Sequence, residues 1–106
     1  MSFDISVTVR GRTVIMELAG DLDAATAPTF HQRVEDVDRN EVDQLVLDMT
    51  NLAYMSSGGL RGLVFAKQKM GENVEIVLVG VNSTVGETIR LTGFQHSVSF
   101  ADRVAE

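Results

Sequence analysis

A chain of 106 residues, 44% hydrophobic and 23% charged, has the composition of one globular domain with enough length to bury a core unaided. Nine Lys and Arg against fifteen Asp and Glu give a net charge of −6 with no basic run, so nucleic acid, which needs clustered cations, is not an expected partner. There is no cysteine, which removes disulfides and thiolate chemistry.

No apolar stretch approaches the roughly 20 residues of a membrane span. The first ten residues, MSFDISVTVR, carry acid where a signal peptide carries base. A soluble, cytoplasmic protein is the expectation, organised as one domain over residues 1–106.

Ile5, Val7 and Val9 alternate with Ser6, Thr8 and Arg10, the pattern of a half-buried strand. Gly11-Arg12 predicts a tight turn into a second strand from Thr13 to Ala19, with Val14, Met16 and Leu18 on one face. Gly20-Asp21-Leu22-Asp23 breaks that strand. Thr26 is a candidate cap for a helix opening at Ala27-Pro28, where the missing proline N–H costs nothing. Ala27, Phe30, Val34 and Val37 make its apolar stripe, and Asn40 to Asp43 reads as a polar connection.

Leu45 to Met49 is apolar apart from Asp48 and reads as a central strand covered on both faces. A loop from Asp48 to Met55 leads to Ser56-Ser57-Gly58-Gly59, where a helix opens. Its core face is predicted to carry Leu60, Leu63, Val64 and Met70, and Gly71 ends it. Val74 to Val79 is a further strand. Asn82 or Ser83 caps a third helix, with Thr84 and Glu87 at capping-box spacing, an inner side of Val85, Ile89 and Thr92, and Gly93 as its end. Val98 and Phe100 suggest a short last strand, and Ala101 to Glu106 a tail or frayed helical turn. The order β-β-α-β-α-β-α-β predicts an α/β fold: a mixed sheet of roughly four to five strands packed with three to four helices.

The serine pair is the chemical candidate. A helix N-terminus offers free backbone N–H groups, and an anion placed there meets the positive end of the helix dipole. The glycines after the serines leave that backbone unshielded. A phosphate on Ser57 would then cost the fold little while adding about −1.5 to −2 charges to the surface. On the residues alone, an ordinary serine cap followed by a loose glycine turn explains the stretch as well. Asp21, Asp23 and Asp48 sit at strand ends that crossovers bring to one edge; they form either an acidic cluster near the serine or solvated turns, and none has metal-ligand spacing. Arg61 and Phe65 follow Ser57 by four and eight residues, as a recognition face or with Phe65 dipping into the core. His31 and His96 have no spaced partner. Met55-Ser56-Ser57-Gly58-Gly59 lacks the leading glycine of a nucleophile elbow, and no Gly-Lys-Ser or Gly-Lys-Thr occurs, so neither a hydrolase nor a P-loop is indicated.

Three stretches together resemble the STAS-domain anti-sigma-factor antagonists of bacterial partner switching: GDLDAATAPTF (20–30), LVLDMTNLAYMSSGGLRGLV (45–64) and IRLTGFQHSVSFADRVAE (89–106). The family turn reads Asp-Ser-Ser/Ala-Gly-Leu. Aligned on Gly59-Leu60, its phosphoserine falls on Ser57, with Ser56 as the alternative acceptor and standing where the family has aspartate. Asp23 matches the family's acidic residue near the turn. The resemblance implies a non-enzymatic STAS fold without cofactor or metal. It implies a partner that is an anti-sigma factor and serine kinase of the histidine-kinase-like ATPase fold, which binds the unmodified antagonist and ejects it by phosphorylation. A PP2C-type phosphatase would reverse the modification. Asp23, Met55, Ser56, Gly58, Gly59, Arg61 and Phe65 are the expected partner-binding residues. The alternative is a STAS regulatory subunit of another assembly, such as a lipid-transport ABC complex or a partner switch with a non-transcriptional output.

Overall fold

The computed structural model describes residues 3–104. The chain opens with an antiparallel hairpin of β1 (Phe3–Arg10) and β2 (Thr13–Leu22), joined at Gly11-Arg12 with Arg10 opposite Thr13. Val14, Met16 and Leu18 are buried on one face, as the alternation predicts, whereas Val7 and Val9 on β1 remain 38% and 66% exposed.

Two strands run further than their sequences suggest. β2 continues through Gly20, Asp21 and Leu22 instead of breaking there, and β3 (Gln44–Met55) absorbs the whole stretch expected to be a loop. The β2–β3 pairing explains both. Glu17 pairs with Asp48 but Ala19 with Asn51, and Gly20 pairs with Leu52 but Asp21 with Tyr54. At each step β3 holds one residue more than β2, which is the count of a bulge. The bulges change the burial repeat, so that Met49, Leu52 and Met55, three apart, all turn inward. Gly20, at φ +93°, carries β2 through the second irregularity.

The remaining elements are α1 (Ala27–Glu35), α2 (Ser57–Met70), β4 (Glu75–Val79), α3 (Ser83–Leu91) and β5 (Ser99–Ala101), with short 3-10 turns at Arg39–Glu41 and Phe94–Ser97. The sheet order is β1-β2-β3-β4-β5, and β2 to β5 are parallel. Each parallel strand lies beside the one before it, so crossovers of one hand put every helix on the same face. The main core shows this: Phe30 and Val34 of α1, Leu60, Leu63, Ala66 and Met70 of α2, and Val85 and Ile89 of α3 pack on Met16, Leu45, Leu47 and Leu78. β3 is therefore not layered by helices on both sides. Its opposite face contributes Val46 to a small cluster with Ile15, Val77 and Val79, against which the half-buried Val104 packs. Residues 105–106 of the expected tail lie outside the described residues.

Several local expectations change with packing. Thr26 stands at the α1 N-cap but makes no cap hydrogen bond; its hydroxyl instead donates to the Asp21 carbonyl at 2.8 Å and accepts from the Asp23 N–H at 3.0 Å. Asn82, not a Thr84–Glu87 box, caps α3: its side-chain oxygen accepts from the Val85 N–H at 2.8 Å while its amide donates to the Leu52 carbonyl at 2.9 Å. Thr92 is exposed at the end of α3, not on its inner side. Val64 is 38% exposed; the core face of α2 is made by Gly59, Gly62 and Ala66 beside Leu60, Leu63 and Met70.

The far edge of the sheet is tied by one carboxylate. Glu75 accepts from the Gln44 amide at 2.9 Å and from the Ser99 hydroxyl at 2.7 Å. The first of these, then the second, holds its carboxyl below the usual glutamate range. A carboxylate with a lower pKa in the folded state adds stability above its unfolded pKa, and loses it as pH falls through the folded value. The Tm difference between wild type and Glu75→Gln is expected to be small, because the group is exposed, and present at neutral pH. Thermal melts should show it closing below about pH 4.

Candidate functional site

β3 delivers Met55, Ser56 and Ser57 to the start of α2, and the backbone decides which serine does what. Ser56 is extended, at φ −88° and ψ 175°, and its N–H donates to the Leu22 carbonyl of β2 at 3.0 Å. Held there, it is the N-cap: its hydroxyl oxygen accepts from the Gly59 N–H at 3.2 Å, and its carbonyl from the Leu60 N–H at 2.9 Å. Ser57 is the first helical residue. It is exposed, and its hydroxyl has no hydrogen-bond partner among the described residues. Structural and chemical roles thus separate onto neighbouring hydroxyls. Ser56→Ala is expected to cost about 1 kcal/mol, seen as a Tm lower by roughly 5 °C, while leaving the Ser57 hydroxyl in place.

The glycine pair has a different purpose from the one its sequence suggests. A Cβ on Gly59 would run into the carbonyl oxygen of Leu22, and one on Gly58 would stand 2.9 Å from both the Cβ and the backbone nitrogen of Ala24. On the side a Cβ would occupy, neither glycine is open to an anion. That side is covered by the chain leaving β2, which lies directly on the first turn of α2.

That loop is built around Asp23. One carboxylate oxygen accepts from the N–H groups of Ala25 at 3.0 Å and Thr26 at 3.1 Å, folding the turn that presses Ala24 on Gly58. Asp23 therefore belongs to the serine turn's surroundings, with Asp21 two residues before it on β2. Asp48 does not join them. It lies seven residues back along β3, roughly 20 Å of strand, where it accepts from the N–H and hydroxyl of Thr50 at the first bulge. Among the described residues no group of three or more His, Cys, Asp or Glu is placed to hold a metal ion.

The other expected residues divide. Met55 is 1% exposed and supports the turn from inside the core, so it offers no surface to a partner. Arg61 is exposed and shares Ser57's side of α2. Phe65 does not: eight residues at 100° each carry it about 80° round the helix. It is half-buried there, with its ring centroid 4.5 Å from that of His31 on α1. The seventh residue from Ser57 comes back to within about 20°, and it is Val64. A groove of about 410 Å³ runs beside the serine, lined by Ser57, Arg61 and Val64 on α2 and by Thr92, Phe94 and Ser97 across from them. Leu91, next to Thr92, is 81% exposed. Val64 was missed because helical spacing assigns an apolar residue to the core by default, and Leu91 was not singled out on α3. The signal that locates Val64 is its seven-residue spacing from Ser57.

An exposed hydroxyl on a rigid strand–turn–helix, beside a shallow groove with apolar residues at its rim, suits recognition by another protein. The STAS domain family model matches residues 4–106, and the chain belongs to the STAS domain family. It is 24% identical over 92 residues to the anti-sigma-F factor antagonist RsfB of Mycobacterium tuberculosis H37Rv, covering 87% of this chain and 75% of that protein. The crystal structure of an anti-sigma factor antagonist from Mycobacterium paratuberculosis superposes with a TM-score of 0.87 at 22% identity, over 97% of this chain and 88% of that one. The phosphorylated form of the Bacillus cell fate determinant SpoIIAA has the same fold, with a TM-score of 0.70 at 16% identity over 96% of this chain and 93% of that one. No helix among the described residues is long and apolar enough to cross a membrane.

Proposed function

We propose that this protein is an anti-sigma-factor antagonist and that Ser57 is its switch. The unmodified turn, with Arg61, Gly58 and the Asp23 loop around it, binds an anti-sigma factor that is itself a serine kinase of the histidine-kinase-like ATPase fold. Phosphorylation of Ser57 releases that partner, and a PP2C-type phosphatase resets the turn. The chain acts by binding and not by catalysis. The observation that carries this reading is the division of labour at the turn: Ser56 is committed to the cap, and the Ser57 hydroxyl is exposed and unengaged among the described residues. The names of the similar proteins, antagonists of anti-sigma factors, support it.

The modification is tested on protein purified from its own cells. Cleavage after Arg39 and Arg61 gives one peptide, residues 40–61, containing both serines. Fragmentation is expected to place a single phosphate on Ser57, in a fraction that disappears in Ser57→Ala and persists in Ser56→Ala. A phosphate on Ser56 would overturn the assignment.

A further inference from the structure

We propose that the β1 edge is a self-association surface, on which a second copy of this chain pairs antiparallel and continues the sheet. β1 is eight residues long, contains no proline, and pairs with β2 without a register shift. The opposite edge, β5, has three residues. Long regular edges invite pairing unless blunted by proline, a bulge, an inward charge or a covering element. β1 has none of these among the described residues; its charges, Asp4 and Arg10, sit at its two ends.

The hairpin determines which backbone groups are free. A two-residue turn makes Arg10 and Thr13 a hydrogen-bonded pair, so Arg10, Thr8, Ser6 and Asp4 direct their backbone groups at β2. Phe3, Ile5, Val7 and Val9 then direct theirs outward. Their side chains share the face of Leu18, Met16 and Val14, opposite which they pair. Val7 and Val9 stand exposed beside a groove of about 540 Å³ walled partly by Val37 and Val42.

Charge selects the occupant. Centre an antiparallel pair on Val7, and Val7 meets Val7, Ile5 meets Val9, and Asp4 meets Arg10 at both ends. Every outward N–H and C=O from Ile5 to Val9 finds a partner in that register. Asp4 and Arg10 form no ion pair within the chain among the described residues. A slip of two residues in either direction takes Asp4 away from Arg10. The strand is thus complementary to itself, in charge and in apolar contact. Because the copies run antiparallel, their Ser57 turns fall at opposite ends of the joined sheet and both stay open.

Sedimentation velocity on the full chain over a concentration series tests this. Wild type is expected to pass from monomer to dimer. Asp4→Arg, which sets Arg against Arg at both ends, should move the midpoint up by about tenfold, and Asp4→Arg with Arg10→Asp should restore it. Val7→Pro removes an outward N–H and should leave a folded monomer, checked by circular dichroism. A wild type that stays monomeric to millimolar concentration overturns the proposal. So does a dimer indifferent to Val7→Pro, or one that the double charge exchange fails to restore.

Discussion

Gly59→Ala is expected to be the most damaging single-methyl change in the molecule. Alanine is the better helix former by about 1 kcal/mol, and in an exposed helix the substitution would stabilise. Here the new Cβ meets the Leu22 carbonyl oxygen, and Leu22 is itself fully buried and tied to the Ser56 N–H. Neither side can retreat without breaking the β2–β3 pairing at Leu22 and Met55. Overpacking against backbone costs about 3 kcal/mol, a large part of a stability of about 5–15 kcal/mol. Urea unfolding should show a much lower midpoint with little change in slope. Gly58→Ala should cost less, because Ala24 lies on an exposed loop that can shift. A Gly59→Ala protein with the wild-type midpoint would mean that the loop does not rest on the helix as described.

Ser57→Asp should separate folding from function. A negative charge in the first turn of α2 gains about 0.3–1 kcal/mol from the helix dipole, so the melting temperature should hold or rise slightly. Binding to the anti-sigma partner should fall sharply. A charge carried into an interface without a counter-charge costs about 2–5 kcal/mol, roughly thirtyfold to a few thousandfold in Kd. Calorimetric titration against the partner checks this beside Ser57→Ala, which should bind as wild type does. If Ser57→Asp binds normally, the partner does not cover this turn. If its Tm collapses, the loss of binding says nothing of a switch.

Much of the architecture is legible in the residues because short-range chemistry dictates it. The β1–β2 alternation, Pro28 opening α1, the stripe of Phe30 and Val34, and the glycines ending α2 and α3 are each decided within a few positions along the chain. The candidate site was legible too, as two serines and two glycines between a strand and a helix. What the sequence could not assign was each residue's task. Either serine is a good cap, and the choice fell to Ser56 because Leu22, on another strand, holds its N–H. Either glycine reads as loose backbone, and both proved to be contacts, since the loop from Leu22 to Ala24 occupies the space a Cβ would need.

The remaining differences share a cause. β3 looked like a short strand and a loop because its bulges replace the two-residue repeat by which a strand is recognised. Val64 looked like core because a helix's apolar residues say which faces are apolar, not which of them another element covers. That all three helices share one side depends on each parallel strand lying beside its predecessor, a long-range choice no local pattern encodes. The sequence by itself determined most of the elements and the stretch that holds the candidate site. The tertiary structure decided which hydroxyl is free, because only contacts between distant residues settle which polar groups are already in use.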